Sequence, residues 1–128
     1  MTRVCCAIIL KEDRILAVQR SEHMSHPLKW EFPGGKIQEG ESEESCILRE
    51  LEEELKLLVF IIKRLNSVFH QYGEKSIELI PFIVSTEKDP ELTEHKALQW
   101  LTKDELRIPD WVEADIKVIT LLNKEWSH

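Results

Sequence analysis

The chain is short of the features that would place it outside the cell, in a membrane or along a nucleic acid. It has three cysteines, Cys5, Cys6 and Cys46, an odd number without a C-x-x-C pair. That excludes a disulfide framework and a C-x-x-C redox or zinc motif. The expectation is reduced, mostly buried thiols in a cytoplasmic protein, with the adjacent Cys5 and Cys6 on opposite faces of a strand. No apolar run reaches the length of a membrane span, and the N-terminus lacks the apolar run and cleavage site of a signal peptide. Basic residues are outnumbered, 17 against 24, for a net charge of −7. There is no basic stripe for a polymeric nucleic acid. A small anionic ligand remains open, because a bound cation reverses the local sign. Repeats, low-complexity tracts and linkers are missing, so residues 1–128 read as a single domain.

Against this background, residues 34–57, GGKIQEGESEESCILRELEEELKL, stand out. A Gly-Gly pair opens the stretch, and a run without Gly or Pro carries Arg49, Glu50, Glu53 and Glu54. At about 3.6 residues per turn, these three glutamates fall within an arc of roughly 100°. Ile47, Leu48, Leu51 and Leu55 fall on another face and can be buried. Most Glu-rich helices present only a solvated acidic face. Here the flanking glycines allow backbone groups to approach a ligand. Carboxylate oxygens suit a hard divalent cation such as Mg²⁺, which takes one or two carboxylates plus substrate phosphates. Arg49 can orient one of the acids through a forked contact.

The stretch resembles the Nudix box, G-x5-E-x7-R-E-U-x-E-E-x-G-U, with U a bulky apolar residue. Gly35, Glu41, Arg49, Glu50, Leu51, Glu53, Glu54 and Leu57 match in register, and Lys56 stands where the family has Gly. The entry KWEFPGGK, residues 29–36, is similar to that of MutT-like enzymes and CTP pyrophosphohydrolases. The resemblance implies the α/β/α sandwich of the Nudix fold and hydrolysis of a nucleoside diphosphate linkage with Mg²⁺, or Mn²⁺, as cofactor. Carried over by position, Glu50, Glu53 and Glu54 would be metal ligands together with the Gly34 carbonyl. Arg49 would orient a ligand, while Gly35 and Glu41 support the box. Glu94 looks like the loop carboxylate that family members place before the last strand, to ligate metal or activate water. Glu91 is its rival.

The remainder of the chain fits an α+β fold, a mixed and mainly antiparallel sheet between helices. Residues 3–10 and 15–19 read as a hairpin around the polar turn 11–14. His23 and His26 read as surface-loop residues. A short strand is expected at 36–38, and a helix at about 43–55 capped by Ser42. Residues 58–72 form one β-rich run. Residues 75–85 return as a strand that Pro81 assigns to an edge or a bulge. Residues 97–101 form a last strand, and Thr102 opens a capping-box turn. Asp110 is expected to cap a final helix, with Ile116, Ile119, Leu122 and Trp126 on its core face. Lys56 costs on the order of 1 kcal/mol if the family's left-handed glycine conformation is kept.

For substrate binding, the resemblance implies a phosphate contact from Arg20 at the end of the second strand. Lys36 in the entry is a further substrate-binding candidate, and Trp30 and Phe32 could flank the nucleotide, with a place in the core the plain alternative and the favoured one for Phe32. In MutT-like enzymes an Asn early in the final helix reads the oxidised guanine. CTP pyrophosphohydrolases have Ala-Asp there, as this chain has Ala114-Asp115. An ionised Asp only accepts hydrogen bonds, which suits the cytosine amine. A first-turn acid favoured by the helix dipole is the plain alternative for Asp115. The expected activity is Mg²⁺-dependent nucleoside triphosphate pyrophosphohydrolysis of CTP, dCTP or oxidised nucleotides such as 8-oxo-dGTP, in nucleotide-pool sanitation. A dinucleotide polyphosphate or nucleotide sugar is the alternative substrate. A sensor module without turnover is the non-enzymatic alternative, disfavoured because all three box carboxylates are present. A monomer or a homodimer is expected.

Overall fold

A computed structural model describes residues 1–126. The elements in order are β1 (Thr2–Lys11), β2 (Arg14–Gln19), β3 (Trp30–Glu31), β4 (Gly34–Lys36), α1 (Glu43–Leu55), β5 (Phe60–Arg64), β6 (Val68–Tyr72), β7 (Lys75–Ser85) and β8 (Ala97–Leu101). A 3-10 turn (Asp104–Arg107) and α2 (Glu113–Glu125) follow. The eight strands form one sheet. β1 and β7 run parallel through its centre, and the other pairings are antiparallel. The observed class is the expected α+β sandwich.

Strand alternation divides the core into two layers. Cys5, Ala7 and Ile9 of β1, Leu16 and Val18 of β2, and Ile80, Phe82 and Val84 of β7 meet the α1 side. Cys6, Ile8, Ile15, Ala17, Leu79 and Ile83 meet the α2 side. The cysteines are free and buried, with Cys5 and Cys6 in different layers. Burial pushes their thiols up, so they stay un-ionised. Among the described residues no helix is long and apolar enough to cross a membrane.

Several local expectations change. α1 buries Cys46, Ile47, Leu51 and Leu55, while Leu48 is exposed. The strand expected at 36–38 is β4 at 34–36, where it pairs with β1. The run 58–72 breaks into β5 and β6, both on β7. β7 is therefore interior, not an edge. Pro81 is tolerated there because its carbonyl accepts from Leu65 N in the gap between β5 and β6 (2.9 Å), so its missing N–H falls at that break. Asp110 does not cap α2. Its carboxylate holds Lys29 Nζ, and Val112 begins the helix without a side-chain cap. The buried face of α2 is Ala114, Asp115, Val118 and Leu122, whereas Ile116 is exposed. Ile119 and Trp126 pack against that layer, as expected.

Candidate active site

α1 runs over Glu43–Leu55 because its ends are fixed locally. The Ser42 side chain accepts from Ser45 N at 3.0 Å, and Lys56 stops the helix in the left-handed conformation (φ 50°, ψ 43°). The 86–96 loop folds over that C-terminal end. Its Glu91 N–H donates to Leu55 O, and Thr93 donates its N–H to Glu54 O and its hydroxyl to Glu53 O and Glu54 O. These are carbonyls the helix cannot satisfy itself.

Arg49 is the hub of the box. It grips Glu41 with Nε and Nη2 at 2.6 and 2.9 Å, and Nη1 reaches Glu50 at 2.9 Å and Glu53 at 3.1 Å. The guanidinium and the Gln38 N–H hold the Glu41 carboxyl down at about 2. The glycines are needed for close approach. A Cβ on Gly34 would overlap the Cys5 backbone, and one on Gly35 would overlap the Glu50 carboxyl. Glu54 lies behind their strand, β4, and accepts from Gly34 N at 3.3 Å. Burial, then the fields of Glu31 and Glu50, push its carboxyl up to about 9, with Glu94 adding to the effect. Burial also raises Glu50. Among the described residues, no three His, Cys, Asp or Glu side chains converge closely enough to hold a metal ion as they stand. The donor set is nonetheless oxygen-only and over-supplied with negative charge around Glu54, which fits a hard divalent cation. Binding one would expel the Glu54 proton.

Glu54 and β4 form one wall of a cavity of about 580 Å³, within the range of small-molecule sites. Asp115, Phe32, Tyr72 and Lys75 also line it, with Arg20, Glu31, Glu94 and His95. Asp115 is buried at the start of α2, and its Oδ2 accepts from Phe32 N at 2.7 Å. Burial, with Glu31 adding, raises its carboxyl to about 8, against the Phe32 N–H and Arg20. A groove of similar size, about 610 Å³, lies by the β1–β2 turn and Phe60, but no box residue lines it.

The structure thus gathers Gly34, Gly35, Lys36, Glu54, Glu94, Arg20, Phe32 and Asp115 around one cavity, with Arg49, Glu41, Glu50 and Glu53 networked beside it. Glu94 lines the cavity and Glu91 does not. Trp30 is not among the lining residues. It bridges to Trp111 and packs in the α2-side layer. Phe32 is buried, its ring 4.7 Å from that of Trp111. Arg20 is already engaged, with Nη1 on Glu31 at 2.7 Å and Nε on Ser25 O at 2.6 Å. Sequence reasoning missed Glu31, Tyr72, Lys75 and His95. It also left His26 as a loop residue, although it meets Tyr72 at the rim (4.9 Å between rings). Glu31 lies within WEFPGG and His95 follows Glu94, so adjacency to singled-out residues was the available signal.

A mixed sheet between two helices, with paired glycines and a carboxylate-edged helix at a cavity of small-molecule size, is the arrangement that the resemblance implied for a phosphoanhydride-cleaving enzyme. The NUDIX domain pattern matches residues 1–122, and the chain belongs to the Nudix hydrolase family. It is 30% identical over 120 residues to the CTP pyrophosphohydrolase of Escherichia coli K12, covering 93% of this chain and 89% of that one. The 8-oxo-dGTP diphosphatase of Proteus vulgaris is 45% identical over 67 residues, which span 52% of this chain and 59% of that protein. The solution structure of the E. coli ORF135 protein superposes with a TM-score of 0.86 at 29% identity, covering 97% of this chain and 89% of that chain.

Proposed function

We propose that the protein hydrolyses nucleoside triphosphates to the monophosphate and pyrophosphate, with Mg²⁺ as cofactor and a preference set by Asp115. Water attacks the β-phosphorus, the bridging bond to the α-phosphate breaks, and the nucleoside monophosphate leaves. A divalent cation supplies neutralisation of phosphate charge and acidification of the attacking water. Glu50, Glu53, Glu54 and Glu94 would hold it with the Gly34 carbonyl. Arg49 keeps Glu50 and Glu53 side by side. Lys36, lining the cavity, draws the polyphosphate in.

The observation that carries this reading is that Asp115 and Glu54 line the same cavity, one on α2 and the other on α1. A base read at Asp115 leaves its phosphates directed toward the box. Because burial keeps Asp115 protonated near neutral pH, its carboxyl both donates and accepts. That matches bases with a donor beside an acceptor, such as cytosine and 8-oxoguanine. The relatives named CTP pyrophosphohydrolase and 8-oxo-dGTP diphosphatase fit the same pairing.

The test is pyrophosphate release from CTP, dCTP, 8-oxo-dGTP and dGTP with Mg²⁺, for the wild type and Asp115→Asn. Phe32 N–H should hold the amide oxygen, leaving the NH₂ toward the base. Cytosine and 8-oxoguanine then both lose the acceptor for their own donor, so Asp115→Asn should lower kcat/KM for the cytidine substrates and 8-oxo-dGTP alike by about tenfold. Equal activity on all bases in both proteins overturns the assignment of Asp115, and no release from any triphosphate overturns the activity.

A further inference from the structure

The Glu94 carboxylate has no hydrogen-bond or ion-pair partner among the described residues, so its placement starts from its own backbone. Both neighbours are anchored. Thr93 sets its hydroxyl on Glu54 O at 2.9 Å and Glu53 O at 3.2 Å, with its N–H also on Glu54 O. This ties the loop to the turn of α1 that carries Glu53 and Glu54. On the other side, the His95 side chain is 3% exposed, and its Nε2 lies 2.8 Å from Glu31 Oε2. His95 Nδ1 has no hydrogen-bond partner among the described residues, so Glu31 is the polar anchor of the ring. The second Glu31 oxygen is held by Arg20 Nη1 at 2.7 Å. Glu31 ends β3, three residues before Gly34 opens β4.

We propose that Thr93 and His95 are positioning residues that hold the backbone of Glu94 so that its carboxylate serves the cavity beside the box helix and β4. The inference rests on the reading of Glu94 as a working carboxylate of the site. Neighbouring Cα atoms are about 3.8 Å apart, so with Thr93 and His95 both anchored the Glu94 backbone cannot shift across the cavity, and the reach of its carboxylate is set from that fixed base. Misplacement by about 1 Å can cost a hundredfold in rate. The Thr93 clamp senses α1 and the His95 clamp senses β3. Glu94 therefore follows the helix that carries Glu50, Glu53 and Glu54 and the strand that leads into Gly34 and Gly35.

The test is a mutant cycle on whichever triphosphate the substrate panel selects. His95→Leu removes the contact to Glu31, His95→Gln retains an amide donor near the Nε2 position, and Thr93→Val removes the hydroxyl at constant shape. His95→Leu should lower kcat by about tenfold with KM changed less than about twofold. His95→Gln should restore most of the loss, and Thr93→Val should lower kcat by about fivefold. In the Glu94→Gln background, His95→Leu and Thr93→Val should cause no further loss. Fully additive losses there, or an unchanged kcat in both single variants, overturn the proposal. If Glu94→Gln alone leaves kcat unchanged, the reading of Glu94 fails and the proposal with it. If Glu94→Gln slows turnover but neither neighbour does, only the proposal fails. Should His95→Leu not fold, the Thr93→Val cycle decides.

Discussion

Replacing Asp115 by Asn should change how stability depends on pH. The carboxyl is buried, with Oδ2 on Phe32 N at 2.7 Å. Burial is the main reason its folded value stands at about 8, against about 3.9 in an unfolded chain. Between these values the folded state holds a proton that the unfolded state has released. The unfolded state then binds fewer protons, so stability falls as pH rises. The contribution is complete below about pH 4 and lost above about pH 8, with a slope of about 1.4 kcal/mol per pH unit in between. From pH 5 to pH 8 that amounts to about 4 kcal/mol, a large share of the 5–15 kcal/mol typical of a domain. Asparagine does not titrate, and its oxygen can keep the Phe32 N–H. The stability difference between variant and wild type should therefore grow by about 1.4 kcal/mol per unit over this range. Glu50 and Glu54, whose carboxyls are also raised, titrate in both proteins and cancel in the comparison. Urea denaturation followed by tryptophan fluorescence, with chelator present, at pH 5, 6, 7 and 8 measures it. Parallel wild-type and variant curves would show that Asp115 is already ionised in the folded protein at pH 5, and the argument would be refuted.

Two further outcomes follow from the box. Glu53, half exposed and bonded to Arg49, can lose its charge without losing a packed contact. Glu53→Gln should keep the wild-type melting temperature and lower turnover by roughly a thousandfold, on the scale of losing one transition-state charge contact. Mg²⁺ at about 100 times its Kd should stabilise the wild type by about 2.7 kcal/mol and the variant by less; melting curves across a Mg²⁺ titration check both, and a flat wild-type curve would count against the metal site. Lys56, at φ 50°, should gain from Lys56→Gly by about 0.5–1 kcal/mol, relief of strain exceeding the added chain entropy. A lower denaturation midpoint for that variant would contradict this.

The parts of the site legible in the sequence are those written over a few neighbouring residues. α1 begins after Ser42 and ends at Leu55 as its cap and uninterrupted run require, and the Glu50–Glu53–Glu54 edge follows from helical spacing. The two glycines were visible as a pattern, but their reasons were not. Gly34 is crowded by the β1 backbone and Gly35 by Glu50, and both clashes exist only once β4 has paired with β1. Glu31 and His95 are 64 residues apart. They meet because β3 and β8 both pair with the last residues of β2, Val18 with Glu31 and Gln19 with Ala97. No local period encodes that meeting. Trp30 misled for a related reason: its backbone is bonded to Asp110 and Val112, which turn it toward the α2 layer and away from the cavity.

Asp115 shows how far residue type can mislead about chemistry. Read alone, it is an ionised acid at the start of a helix, able only to accept. The fold places it beside β3, where Phe32 N–H supplies the one hydrogen bond to its carboxyl among the described residues and Glu31 adds like charge. Desolvation then outweighs the favourable fields of Arg20 and the Phe32 N–H, and the carboxyl keeps its proton. An obligate acceptor becomes a donor as well. Under the proposed role of Asp115, the base it would read is set less by the aspartate than by the elements packed over it. Substitutions at Glu31 or Arg20, which shift Asp115's titration in opposite directions, should alter base choice without touching the base.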